Sequence, residues 1–461
     1  IILGLVAAAA GGGWYLLNSG TTPTPAQETI ENPQEVLPGN AISITEYRFD
    51  TEERRQAIND FWTKQSGEQA AGLEPLLKGD PRSVTALPSV TSLFYITIPQ
   101  ESGPYVLVRE TRETQGLFGN AAQNVVTAKG GWYIAHQTAV DPYVNALSQG
   151  NMAGKNAIQA FSEAYTVRIY AAQSSLDDLT TQITLKQVKN SPLSHLTMIT
   201  DLPSGNILSL KGNGQHASAQ AGTITTPDAG ILYLVPTSIQ FLRLGHSFTA
   251  DVEAWGTVNP PLIDTAILQE PAVKQLIAQL SQSYAYYQRP IAGSSTFDLG
   301  LIIRLPIELK DNLAIGDPTL ERSLFALTPL VTGTSQVTPL TFNDAAIENI
   351  PLRYVNLTGK NQALDYAIYG DYLFIATSKD GMATLLNAAK NPTAPTSGVA
   401  QAVNSLAGGN KSQVIAGALF DAASLNSIIP GLQSAPIGAI GLKAVEGLNR
   451  SVEAKIIFTT P

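Results

Sequence analysis

The sequence predicts an α+β protein: an N-terminal transmembrane helix, then two tandem related lobes of mixed or antiparallel sheet with packed helices. Three observations lead there. Residues Ile1 to Leu17, IILGLVAAAAGGGWYLL, carry no charge. Beyond them, short strand-like runs alternate with amphipathic helical stretches, joined by connections of hairpin length. The order of these elements also occurs twice.

The apolar run comes first. At about 1.5 Å per residue it spans roughly 25 Å, against a hydrocarbon core of about 30 Å. The sequence starts at Ile1 rather than Met, and further apolar residues upstream are expected to complete the span. Trp14 and Tyr15 stand near its end, where aromatic rings favour the headgroup level. Ala7 to Ala10 offer the small-residue sites a signal peptide needs. The apolar run continues past them to Leu17, which favours an uncleaved anchor over 1–17. Residues 18–36 are rich in Thr, Pro, Asn, Gln and Glu and read as a disordered tether. No Lys or Arg flanks the run before Arg48. That places the body outside the cytoplasm, in the periplasm or at the cell surface.

Composition narrows the function. A chain of 461 residues holds two or three domains of about 150 residues. Charged residues make up 14 %, below the average of about 25 %; Ser, Thr, Asn, Gln and Gly replace them, as in secreted and cell-surface proteins. The absence of Cys excludes disulfides, thiolate metal sites and thiol nucleophiles. A net charge of −9 gives no electrostatic footprint for nucleic acid. Arg54-Arg55, behind Glu52-Glu53, reads as a solvated helical face.

Within the body, Asp50 and Glu53 form a capping box, with Ile58, Phe61 and Trp62 as the buried face behind it. Ala157, Ile158, Phe161 and Tyr165 recur at helical spacing. Pro271 opens the clearest helix, whose apolar stripe runs Val273, Leu276, Ile277, Leu280, Tyr284, Tyr287. Strands are expected at 42–47, 92–98, 105–109, 132–135, 167–171, 231–235, 297–304, 352–357, 372–377, 414–419 and 454–458. Ser209 to His216, centred on Gly212-Asn213-Gly214, looks like a hairpin tip.

The doubling rests on paired landmarks. Leu37-Pro38 and Val235-Pro236 each precede a strand. Gly130-Gly131-Trp132-Tyr133-Ile134-Ala135 answers Gly370-Asp371-Tyr372-Leu373-Phe374-Ile375-Ala376, each leading into a helix. Gly- and Ala-containing helices follow near 154–165 and 399–407. Ala171 to Leu176 then answers Ala418 to Leu425, and Met198 to Pro203 answers Ile457 to Pro461. The lobes are accordingly 37–203 and 235–461, with a hairpin-rich connection over 204–234. On the Leu/Val-Pro strand entries and the run Tyr366 to Ser378 before Met382, Leu385 and Leu386, the chain resembles an uncharacterised bacterial family, a domain of unknown function. Its members have an N-terminal anchor, a Pro-rich tether and an extracytoplasmic body of α+β repeats. The first-half copy departs from the pattern, with His136-Gln137 in place of small hydroxyl residues. The resemblance implies this architecture over residues 36–461, and no activity, cofactor or site residue.

The chain carries no complete catalytic or ligand motif. His136, His195, His216 and His246 lack metal-ligand spacing, so they read as isolated surface or hydrogen-bonded side chains. No Gly-x-Ser-x-Gly elbow occurs. Gly150 to Lys155 has three residues between its glycines, and Asn156 follows the Lys; a phosphate loop needs four and a Ser or Thr. Asp177 and Asp178, adjacent on a helix, face different ways and suit a helix start better than acid/base work. Asp311-Asn312 and Asp317-Pro318 read as turn formers. Tyr286 and Trp255 are candidate stacking contacts for a glycan or peptide, against a core reading for the neighbouring Tyr284 and Tyr287.

The expectation is a single-pass, membrane-anchored, extracytoplasmic scaffold or binding protein of the cell envelope, not an enzyme. It has no cofactor, metal or nucleic acid. It contacts the membrane through its N-terminal helix and takes an envelope protein or cell-wall component as partner. The alternatives are an envelope hydrolase whose site converges from distant residues, a cell-wall glycan- or peptide-binding module, and a subunit of a larger membrane complex packed through Gly11, Gly12 and Gly13.

Overall fold

The computed structural model describes residues 33–66, 72–101, 103–118, 124–128, 131–148, 165–174, 193–202, 207–216, 227–237, 239–257, 263–290, 297–329, 341–357, 363–395, 398–407, 414–419, 436–444 and 449–458. It is a mixed α+β protein. The strands of the first half are β1 (Ser43–Arg48), β2 (Ser92–Thr97), β3 (Tyr105–Arg109), β4 (Val125–Ala128), β5 (Trp132–Ala135), β6 (Val167–Ala172), β7 (Leu193–Thr200) and β8 (Ile207–His216). Those of the second are β9 (Phe241–Gly245), β10 (Tyr284–Pro290), β11 (Phe297–Arg304), β12 (Asn343–Ile347), β13 (Ile350–Asn356), β14 (Ala363–Tyr369), β15 (Tyr372–Ala376), β16 (Val414–Leu419), β17 (Pro436–Ala444) and β18 (Asn449–Phe458). Its principal helices are α1 (Glu52–Ser66), α2 (Asp141–Leu147), α3 (Phe248–Thr257), α4 (Pro271–Gln279), α5 (Pro318–Phe325), α6 (Lys379–Lys390) and α7 (Gly398–Ala407).

Every strand pairing among the described residues is antiparallel, and the order of neighbours repeats. The first half runs β4-β5-β3-β2-β1-β6-β7-β8. The second runs β14-β15-β11-β10-β9-β16-β17-β18, with β13 and then β12 added outside β14. The halves join edge to edge through β8 and β18. Following the registers inward from Trp132 in β5 and Tyr372 in β15 assigns each residue a counterpart. On that alignment Leu37-Pro38 coincides with Val235-Pro236, and Ala171 with Ala418. Lys211 coincides with Glu453, and these two are also register partners across β8 and β18, so an approximate two-fold axis passes between them. A perfect repeat would set like charges opposite each other there, which destabilises a sheet; this chain sets Lys opposite Glu.

Helices and turns cover both faces of the sheet. One core spans the two halves, with Ile58, Phe61 and Trp62 of α1, Trp255 of α3, Val273 and Leu276 of α4, and Leu320 and Leu324 of α5 against one face. The other face holds two separate cores. In the first half Val36, Leu37 and Tyr143 cover Ile44, Phe94 and Ile134. In the second, Met382, Leu385 and Leu386 of α6 and Val399 and Val403 of α7 cover Leu242, Ile302 and Phe374. Strands covered on both sides bury successive residues, which is why Leu93-Phe94-Tyr95-Ile96 is a continuous apolar run rather than an alternating one.

Several elements differ from expectation. The helical stripe stops at Gln279, and Tyr284 begins β10. Tyr284 and Tyr286 face one core while Ala285 and Tyr287 face the other, an alternation that aromatic side chains favour on a pleated surface. The strand expected at 231–235 is a 3-10 turn, Ala229–Leu234, started by Asp228 accepting from the Gly230 amide, a local bond that competes with a ladder. Ser209 to His216 is not a hairpin tip but part of β8. A Cβ at Gly212 would collide with Thr197 and Met198 of β7, so that glycine permits close strand approach. The span 204–234 thus holds a sheet strand as well as a turn. Met198 to Thr200 lies in β7, the counterpart of β17, so its match to the end of β18 is one strand out. The tether expected over 18–36 ends by Pro33, because Pro33–Val36 forms a 3-10 turn with Val36 buried and its carbonyl accepting from Tyr143 Oη at 2.6 Å. Thr51, not Asp50, caps α1, accepting from the Arg54 amide at 3.3 Å; Asp50 pairs with Arg54 and Arg48 instead. Arg55 is not on a solvated face. Its guanidinium donates to the carbonyls of Thr85, Leu87, Pro88 and Val90 at 2.7–3.1 Å. The anchor 1–17, tether residues 18–32, Gly150 to Lys155, most of 154–165 and Asp177-Asp178 lie outside the described residues. Among those described, no helix is long and apolar enough to cross a membrane.

Candidate functional site

The two candidate ligand contacts are core residues. Trp255 is 1 % exposed and Tyr286 6 %; their rings lie 6.3 Å apart. Tyr286 Oη accepts from Gln288 Nε2 at 3.1 Å, and burial pushes its hydroxyl up to about 12. Neither presents a face to a glycan or peptide. The Tyr-Ala-Tyr-Tyr pattern buries Tyr286 for the same reason it buries Tyr284: both lie on one side of β10.

Three buried ion networks brace the sheet. Arg243 of β9 donates to Asp251 of α3 through Nη2 at 2.7 Å and to Tyr284 Oη through Nε at 2.6 Å, and Tyr284 Oη also bonds Asp251. Arg243 and Asp251 are fully buried. Arg168 of β6 and the Tyr165 hydroxyl both bond Glu46 of β1. Arg82 forks onto Asp80 beneath α1. Each carboxylate faces a guanidinium, so these groups are neutralised in pairs and serve packing rather than proton transfer.

A fourth polar cluster is different. It lies under the start of α6, on the sheet face that β10, β11, β14 and β15 share. Asp298 of β11 is 1 % exposed. It accepts from Arg289 Nη2 at 2.7 Å, Thr377 Oγ1 at 3.0 Å and Ser378 Oγ at 3.0 Å. Ser378 caps α6, its Oγ accepting from the Gly381 amide at 2.9 Å. Position 381 must be glycine-sized, because a Cβ there would collide with the Asp298 carboxylate. Asp365 of β14 lies on the same sheet face, two residues along the ladder, and is 2 % exposed. Its Oδ1 is buried with no hydrogen-bond partner. Burial, and then the charge of Asp298, push its carboxyl up to about 7, against a smaller opposing pull from Lys379. Two neighbouring buried carboxyls, with one guanidinium bonded to Asp298 alone, cannot both ionise cheaply. The cluster can therefore take up and release a proton near neutral pH.

Nothing in the sequence marks this pair, since Asp298 and Asp365 meet only through the β11-β15-β14 ladder. The two-fold alignment, once known, does mark it. The counterparts of Asp298, Asp365, Thr377 and Ser378 are Gly103, Asn124, Gln137 and Thr138. The first half thus builds the same corner without a carboxylate, Asn124 donating to the Gln137 carbonyl at 2.9 Å.

His136 is buried and stacked on Tyr105 at 4.1 Å, beside the Thr138 hydroxyl. Burial lowers the pKa of His195 and of His246. Among the described residues no group of three or more His, Asp or Glu could hold a metal ion. Asp317 caps α5 by accepting from the Thr319 and Leu320 amides.

No family model matches the chain, and no curated protein does. Among solved structures, a cleaved viral serpin aligns over 51 % of this chain and 95 % of its own, with 8 % identity and a TM-score of 0.08. That likeness carries no argument about fold or function.

Proposed function

We propose that the chain is a membrane-anchored, extracytoplasmic scaffold or binding protein of the cell envelope, built by internal duplication into two related lobes. The observation that carries this reading is the doubled strand order meeting at Lys211 and Glu453. It gives the body two related sets of strands in a fixed relation, such as the β4-β5 and β14-β15 pairs, an arrangement that suits holding partners rather than turning over one substrate. The uncharged residues 1–17 and the polar stretch behind them support attachment to a lipid bilayer. The partner is an envelope protein or a cell-wall component; the negative charge disfavours nucleic acid.

One observation favours the hydrolase alternative, the raised pKa of Asp365 beside Asp298. Against it, both carboxyls lie beneath α6, and the adjacent Thr377 and Ser378 hydroxyls donate to Asp298 rather than facing a substrate. The glycan-binding alternative loses both of its residues to the core.

Fractionation of a bacterial host expressing the full chain tests the reading. The full chain should sediment with membranes, resist carbonate extraction and be cut by protease added outside the inner membrane. A version lacking residues 1–17 should be recovered soluble. Recovery of the full chain in the cytosolic fraction would overturn the proposal.

A further inference from the structure

We propose that Asp298 and Asp365 form a proton-operated latch for the first turn of α6: one proton held by the pair seats the helix start on the sheet, and its loss loosens it. Three independent features of the structure support this. Asp365 Oδ1 is buried and unpartnered, and a proton on that carboxyl relieves the like-charge repulsion with Asp298. Asp298 in turn holds the helix start directly, through Ser378 Oγ and Thr377 Oγ1, with Gly381 packed against its carboxylate. The corresponding corner of the first half lacks both acids, so the shared scaffold does not require them. They are an addition of one half, placed where an unpaired charge destabilises it.

The groups facing the pair come from every neighbouring element. Arg289 and Tyr287 stand on β10; Asp298 raises the Tyr287 pKa further after burial has done so. Tyr354 on β13 is the register partner of Asp365. Lys379, on α6, is exposed. Arg289 is committed to Asp298 and to Thr384 of α6. That leaves Asp365 as the group whose charge changes near neutrality, its carboxyl standing at about 7.

A carboxyl whose folded pKa lies above its unfolded value adds no penalty below the unfolded value of 3.8. The penalty grows as pH rises through the interval and is complete above about 7. The latch is therefore tightest in acid, loosens as pH rises to about 7, and changes no further above it.

Hydrogen exchange of residues 378–386 in the full chain, followed from pH 5.5 to 8.5, tests this. Rates are corrected for intrinsic exchange and referred to α2, the corresponding helix of the first half. Protection of the α6 start relative to α2 should fall by up to about tenfold per pH unit as pH rises to about 7, the limit for one proton, and level off above it. Asp365→Asn, which installs the amide found at Asn124, should make the ratio independent of pH. An unchanging ratio in the wild type overturns the latch, and so does pH dependence that persists in Asp365→Asn. Should that variant not fold, infrared difference spectra of the wild type decide. A protonated-carboxyl band present at pH 6 and lost by pH 8.5 supports the proposal, and its absence at pH 6 refutes it.

Discussion

Asp251 is the counter-charge of a cation that has no water to turn to. Arg243 is fully buried. Its Nη2 and Nε reach Asp251 at 2.7 and 3.3 Å, its Nε also reaches Tyr284 Oη at 2.6 Å, and its Nη1 has no partner. Asp251→Ala would leave the guanidinium with one neutral acceptor. Removing one member of a buried pair costs about 3–5 kcal/mol, a large part of a typical stability of about 5–15 kcal/mol. The pair itself is not expected to add much net stability, because desolvating both charges offsets most of their attraction. The sheet shows that it can do without one: the counterpart of Arg243 in β1 is Thr45, buried and neutral. The double variant Arg243→Met, Asp251→Leu should therefore recover to within about 1–2 kcal/mol of the wild type. Urea unfolding, followed by far-UV circular dichroism and by tryptophan fluorescence, measures all three proteins. Trp255 is a local reporter, 6.0 Å from Tyr284. A cost below about 1 kcal/mol for Asp251→Ala, or a double variant as unstable as the two singles combined, would refute the reasoning.

Other substitutions probe different physics. Arg55→Ala removes the donor to four loop carbonyls and should lower stability by about 2–3 kcal/mol in urea unfolding; Arg55→Lys should recover only part, since one ammonium cannot span that fork. Gly300→Ala would push a methyl into the Tyr287 ring lying across it. It should cost about 1–3 kcal/mol by overpacking, measured as a lowered thermal midpoint, while Gly116→Ala, where a Cβ meets nothing, should not. Glu453→Lys would set Lys opposite Lys211 at the two-fold axis. It should cost up to about 1 kcal/mol in chemical denaturation at low salt, recovered when Lys211→Glu is added.

What could be read without a structure was local. Tyr105–Arg109, Trp132–Ala135, Phe297–Arg304 and Val414–Leu419 are strands over the bounds expected from their apolar, β-branched and aromatic runs, because strand preference is expressed within a few residues. Boundaries failed where two periods fit the same residues: the spacing of Leu280, Tyr284 and Tyr287 suits a helix, yet tertiary burial on both sides made 284–290 a strand. Tyr286 and Trp255 could not be placed inside or outside from sequence, since an aromatic ring suits a binding face and a core equally. Arg55 and Asp298 were illegible for a different reason. Their partners are distant in the chain, and only the sheet brings them together.

The sequence by itself determined the α+β class, most strand positions, the exclusion of thiol chemistry, and landmarks at matching positions in the two halves. These depend on composition and on patterns shorter than one element. Only the tertiary structure decided that the halves meet edge to edge with Lys211 facing Glu453, that Arg243 and Asp251 are sealed from water, and that Asp365 sits unpartnered beside Asp298. Burial and charge pairing depend on which distant strands become neighbours, and antiparallel registers across β8, β18, β11, β15 and β14 settle that through hydrogen bonds no single segment encodes.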